Sequence, residues 1–138
     1  SNYLDVNNDP LYPFGYGLSY AKFYYGNVKV SATQLKGNQT LTVSVPITNN
    51  GKVAGKEVVQ LYIRDVVGST TRPVKELKNF EKVLIQPGET KTVTFTITPA
   101  DLKFYNYDLK YDWEDGDFEI MVGTNSAEVQ TTRVNWVK

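Results

Sequence analysis

An all-β fold, a sandwich or barrel, is what this sequence predicts, and three observations predict it. Apolar and polar residues alternate with period two in several separate runs. Clusters of Gly, Pro and small polar residues interrupt those runs at roughly 8–12-residue intervals, the spacing of a β-sandwich or barrel. No window of ten or more residues sustains a helical period bounded by caps.

The strands follow in chain order. "NVKVSA" sets Val28, Val30 and Ala32 against Lys29 and Ser31, within an expected strand near 22–34. "TLTVSVPIT" gives Leu41, Val43, Val45 and Ile47 one face of a strand at 39–48, opposite Thr40, Thr42, Ser44 and Thr48. Pro46 is read as lying on the apolar face; lacking an N–H, it places that strand at an edge or a bulge. "EVVQLYIRD" turns Val59, Leu61 and Ile63 inward over 56–65, with Tyr62 and Arg64 outward. Further strands are expected at 79–85, at 91–98 with Val93, Phe95 and Ile97 inward, at 117–123 with Phe118, Ile120 and Val122 inward, and at 127–136. "LKGN", "NNG", "QPGE", "EDGD" and "GTNS" supply the turns. "TPADLKF" offers one helical turn, with Thr98 as cap and Pro99 at the first helical position. A small hairpin is expected at 103–113, and one long polar connection, 66–79, remains.

Composition then bounds function. The 138 residues fit one domain, and 41% hydrophobic with 13% aromatic residues suffice for a core. Fifteen Lys and Arg balance fifteen Asp and Glu, so no basic field favours nucleic acid or an anionic membrane. No apolar run approaches the roughly 20 residues that span a bilayer. The opening residues do not read as a signal peptide, and the natural start is expected upstream. With no cysteine and no histidine, disulfides, thiolate sites and Ser-His or Cys-His catalysis are excluded.

Several clusters invite a functional reading. Asp108, Asp112, Glu114, Asp115 and Asp117 gather near a glycine, yet an EF-hand loop started at Asp112 would put Asp117 where glycine is required. The cluster therefore reads as a solvated turn. Carboxylate pairs that cleave glycosides need about 5–10 Å across a sugar-sized cleft, and a small sandwich with aliphatic inward positions has none. "FGYGL" lacks the third glycine and the helix of a phosphate loop. Ten tyrosines, with Tyr105, Tyr107, Tyr111 and Trp113 close together, allow either sugar stacking or ordinary packing with wet hydroxyl tips. "RPVKELK" carries Arg72, Lys75 and Lys78 as a charged loop, either solvated or docking. Asn38 opens a glycosylation sequon that matters only in a glycosylating host. No cofactor or metal is expected.

"PLYPFGYGLSY" (10–20) is the most unusual stretch: too apolar for a solvated tail, too broken for a regular strand. Followed in order by "VVQLYIRD", "RPVKELKNFEKV", "PGETKTVTFTI", "DLKFYN" and "GDFEIMVGTNS", it resembles the C-terminal fibronectin type III-like domain of glycoside hydrolase family three, the β-glucosidase and β-xylosidase family. Ala21 and Asn79 stand where the family often has Thr and Gly. The resemblance implies a seven-stranded, immunoglobulin-like β-sandwich over 22–138, preceded at 1–21 by a linker from catalytic domains. It also implies that the nucleophilic Asp and the acid/base Glu lie in domains N-terminal to this segment, so no catalytic residue is carried onto this chain. The expected role is a non-catalytic accessory domain that stabilises or docks onto those domains, in a periplasmic or extracellular enzyme. Its expected interdomain surface comprises Leu11, Tyr12, Phe14, Tyr16, Tyr20, Arg72 and Lys75. The alternative is a carbohydrate- or cell-wall-binding module that holds polysaccharide on exposed aromatics.

Overall fold

Alternation of this kind forces a layered structure, because each strand has one face that must leave water. The computed structural model describes residues 4–7, 20–66, 75–105 and 111–138, with side chains excluded at 4–7, 104–105 and 111–112. The described strands are β1 (Leu4–Asn7), β2 (Lys22–Tyr25), β3 (Lys29–Val30), β4 (Gln34–Lys36), β5 (Leu41–Asn49), β6 (Gly55–Asp65), β7 (Lys75–Ile85), β8 (Thr90–Ile97), β9 (Phe104–Tyr105), β10 (Tyr111–Asp112), β11 (Gly116–Gly123) and β12 (Val129–Val137). Nine of these have three or more residues, against the seven expected. The excess arises because the stretch expected as one strand at 22–34 is broken into pieces and because Leu4–Asn7 pairs antiparallel with β2.

Two five-stranded sheets stack face to face. In the first, β5 pairs with β8 along one edge and with β2 and β3 along the other, and β1 lies beyond β2. The second runs β4–β12–β11–β6–β7, with β4 and β12 parallel and β7 at its rim. The expected hairpin forms as the pairing of β9 with β10. Between the sheets the inward residues of β5, β6, β8 and β11 are buried as their alternation predicts. Ala21, Phe23, Tyr25, Leu35, Ile85, Leu102, Trp113, Val134 and Trp136 complete that core, while Val28 and Val30 are only half-buried at its margin. The helical turn at Pro99–Leu102 forms as a 3₁₀ turn, held by a 2.8 Å hydrogen bond from the Thr98 N–H to the Asp101 carboxylate.

Pro46 departs from expectation. It lies on the outer face with Thr42, Ser44 and Thr48, since position 46 is out of phase with Val45 and Ile47. Nor is β5 an edge strand. Pro46 falls where β2 ends and β3 has not begun, so its missing N–H faces Gly26 across a gap in the ladder. The Gly26 N–H still donates to the Pro46 carbonyl at 2.8 Å. The Gly26 carbonyl, which a non-proline residue at 46 would serve, instead accepts from the Gln130 side-chain amide at 2.6 Å. The same amide accepts from the Val28 N–H at 3.0 Å. A side chain of the second sheet thus satisfies both backbone groups that the proline and the strand break leave open. Gly26 is required at the closest approach: a Cβ there would lie 2.6 Å from Pro46 Cγ.

Candidate interdomain surface

Two polar side chains enter the core in the apolar phase. Asn49 continues the inward series of β5 and is fully buried. Its Oδ1 accepts from the N–H groups of Lys22 (3.1 Å) and Gly51 (2.9 Å). Its Nδ2 donates to the carbonyls of Val53 (2.8 Å) and Ile85 (2.9 Å). One amide therefore ties β5 to the start of β2, to the 50–54 turn and to the end of β7. Glu57 continues the inward series of β6, and its carboxylate accepts from the buried Tyr25 hydroxyl at 2.6 Å. Burial raises both pKa values, against the lowering effect of the Thr124 hydroxyl on each. The Tyr25 tip is thus bonded within the protein rather than wet. Extending the alternation by one step at each strand would have found both residues.

The charged segment divides. The expected connection 66–79 ends early, because β7 begins at Lys75 and pairs with β6 throughout. Extended backbone at a sheet rim tolerates the polar sequence "KELKN", since only one neighbour and one face have to be satisfied. The Lys75 ammonium lies 5.7 Å from the Tyr62 ring centroid and donates to the Ser126 carbonyl. Lys78 sits at the bulge where β7 gains a residue against Leu61 and Tyr62. It is neither a solvated charge nor an outward docking group: its nearly buried ammonium donates to the Lys103 carbonyl and pairs with Glu76, each at 3.0 Å. Of the expected interface residues, Tyr20 is exposed and Lys75 half-buried. Leu11, Tyr12, Phe14, Tyr16 and Arg72 lie outside the described residues.

The aromatic and acidic groups have mostly structural partners. Trp113 is buried and meets Phe118 edge-to-face at 6.3 Å, with the Lys138 ammonium 5.2 Å from its ring. Trp136 is buried and donates to the Gly37 carbonyl at 3.2 Å. Asp115 accepts from the Lys138 N–H and Asp117 from the Asn135 amide. Among the described residues no three potential ligands gather as a metal site would need.

The outer face of β6 and β7 differs. Leu77, Phe80 and Leu84 project there, opposite Tyr62, Gln60 and Lys56 in the register, and are 50%, 60% and 42% exposed. No other strand among the described residues presents a large exposed apolar side chain.

The family model of the fibronectin type III-like domain matches residues 57–126, from Glu57 on β6 to the turn after β11. The chain belongs to the fibronectin type III-like domain family. Its relatives are glycoside hydrolases of family three. A periplasmic β-glucosidase of Salmonella typhimurium is 48% identical over 130 residues, covering 94% of this chain and 17% of that protein. A β-xylosidase of Formosa agariphila is 50% identical over 124 residues, covering 90% and 17%. The structure of a β-glucosidase from Erythrobacter marinus superposes with a TM-score of 0.78 at 43% identity, covering 99% of this chain and 18% of that one. This fibronectin type III-like chain thus spans about a sixth of the relatives it matches.

Proposed function

We propose that this domain is a non-catalytic accessory part of a periplasmic or extracellular β-glycosidase, stabilising the catalytic domains by docking against them. The observation that carries the reading is the lopsided coverage: nearly all of this chain matches, within about a sixth of each hydrolase. In the family resemblance the nucleophile and the acid/base residue belong to the preceding domains. Segment 1–21 acts as the lead-in from those domains, and Leu11, Tyr12, Phe14, Tyr16, Tyr20, Arg72 and Lys75 contribute to the contact. The periplasmic relative supports the compartment.

Two measurements test this. The purified chain should release no nitrophenol from aryl β-glycosides above a protein-free blank; activity that persists at constant specific activity through repurification overturns the non-catalytic role. A parent polypeptide deleted for 22–138 should inactivate at a lower temperature than the intact one. Identical inactivation curves would remove the stabilising role.

A further inference from the structure

The turn that follows β5 holds the only Asn–Gly pair in the sequence, Asn50–Gly51. Packing imposes the glycine. A Cβ at position 51 would lie 2.7 Å from both the Ala21 Cα and the Lys22 nitrogen, and closer still to the Tyr20 carbonyl oxygen. Only glycine lets this turn lie so near the start of β2. Asn50 itself is exposed. Its side-chain amide is therefore followed by a backbone nitrogen that no side chain shields, unlike Asn38, Asn79, Asn125 and Asn135, which precede Gln, Phe, Ser and Trp. The fold nevertheless occupies that nitrogen. The Gly51 N–H donates at 2.9 Å to Oδ1 of the fully buried Asn49. Its neighbours are engaged as well, the Asn50 N–H on the Lys22 carbonyl at 2.7 Å and the Lys52 N–H on the Tyr20 carbonyl at 3.1 Å.

We infer that Asn50–Gly51 is a self-modification site, at which the chain converts Asn50 to aspartate and isoaspartate, and that Asn49 holds the site closed while the turn is folded. In the reaction the Gly51 amide nitrogen gives its proton to water or hydroxide and attacks the Asn50 Cγ. The Cγ–Nδ2 bond breaks, ammonia leaves, and a cyclic succinimide forms. Water then opens either carbonyl of the ring, so water is consumed, ammonia is released and nothing is oxidised or reduced. While Asn49 Oδ1 holds the Gly51 N–H, the nitrogen neither loses that proton nor swings toward Cγ. Closure therefore requires the turn to open locally first. The isoaspartate product adds a methylene to the main chain between the Asn50 and Lys52 N–H groups. These are the two donors clamped on the Lys22 and Tyr20 carbonyls, so the lengthened chain no longer matches that pairing. The conversion thus undoes the tie between the 50–54 turn and the start of β2.

Peptide mass spectrometry tests this on the 138-residue chain, kept at mildly alkaline pH in buffer and in denaturing urea. Asn50 should convert to the acid in both, about tenfold or more slowly in buffer, because several hydrogen bonds have to open first. Equal rates overturn the closure by the fold, and no conversion in urea overturns the site. In buffer, Asn49→Leu should speed the conversion about tenfold more than Phe95→Ala, which loosens the core nearer the other end of β5. Equal acceleration by the two overturns the part given to Asn49. Should Asn49→Leu fail to fold, amide exchange in the wild type decides: a protected Gly51 N–H supports the closure, and exchange at the unstructured rate overturns it. Asn50→Asp carries the new charge on an unaltered main chain and should melt near the wild type, with the isoaspartate fraction clearly lower. An isoaspartate fraction that melts with Asn50→Asp overturns the structural consequence.

Discussion

Strands β7 and β8 are neighbours in the chain, joined by the "QPGE" turn, and they use their side chains in opposite ways. In β8 every second residue, Val93, Phe95 and Ile97, is buried, and the Thr residues between are exposed. In β7, three residues longer, only Ile85 is buried. Both strands rim their sheets, each with one strand partner among the described residues. β8 pairs with β5 along its whole length and sets its inward residues into the core between the sheets, whereas β7 contributes only Ile85 to the buried set. A strand's alternation is therefore a statement about whether an opposing layer exists as much as about the strand itself.

Breaking the buried side of this contrast should cost most. Phe95→Ala removes a ring at the centre of the core and should destabilise the chain by about 3–5 kcal/mol, while the outward Thr94→Ala should cost less than about 0.5 kcal/mol. Equal shifts of the two denaturant midpoints would mean that β8 is not phased as described. The one buried residue of β7 is Ile85, whose carbonyl accepts from the Asn49 amide. Asn49→Leu strands four backbone partners and should cost about 2–4 kcal/mol, with amide exchange at the end of β7 and in the 50–54 turn speeding up more than in β8. If exchange in β8 rises as much, Asn49 is not a local tie.

A smaller effect sharpens the same contrast through pH. Burial raises Glu57 above its ordinary 4.5, so the folded state holds the proton more tightly than the unfolded one. Stability associated with this group is fully present below pH 4.5 and falls as pH rises from there through the raised value. Urea titrations should show wild type losing stability over that window relative to Glu57→Gln, whose curve is flatter. A wild type that instead gains on the variant as pH rises would reverse the sign argued here. The smallest expected effect is on the rim. Phe80→Ala in the isolated chain should change the unfolding free energy by less than about 0.5 kcal/mol, despite removing a ring of the same size as Phe95. A loss of several kcal/mol would mean that β7 packs against something within the domain.

What the sequence made legible was whatever depends on phase. The inward sets of β5, β6, β8 and β11 follow directly from alternation, and the turns and the Pro99 turn from the Gly, Pro and capping residues between them. Asn49 and Glu57 obey the same phase but are polar, and reading only apolar letters passes over them. Pro46 was misplaced by one residue of parity, and the device that accommodates it uses Gln130 from the other sheet, which no local pattern can reveal. The extent of β7 was hidden because none of its residues before Ile85 is buried, so "KELKN" looked like loop. For the candidate surface, Lys75 and Lys78 were visible as charges, but their partners, Tyr62, Ser126 and Lys103, come from distant sequence. Leu77, Phe80 and Leu84 carried no signal as exposed residues, since apolar letters in a strand ordinarily predict burial.

The amide of Gln130 reaches Gly26 and Val28 across 104 and 102 residues of chain. This sets an order on biosynthesis. While the polypeptide emerges from its N-terminus, β2, β5 and even β8 can assemble, yet the seam between β2 and β3 has an open carbonyl and an open N–H until β12 leaves the ribosome. The seam in the first sheet is therefore closed only by β12, and a nascent chain stalled before residue 130 leaves those two groups to water.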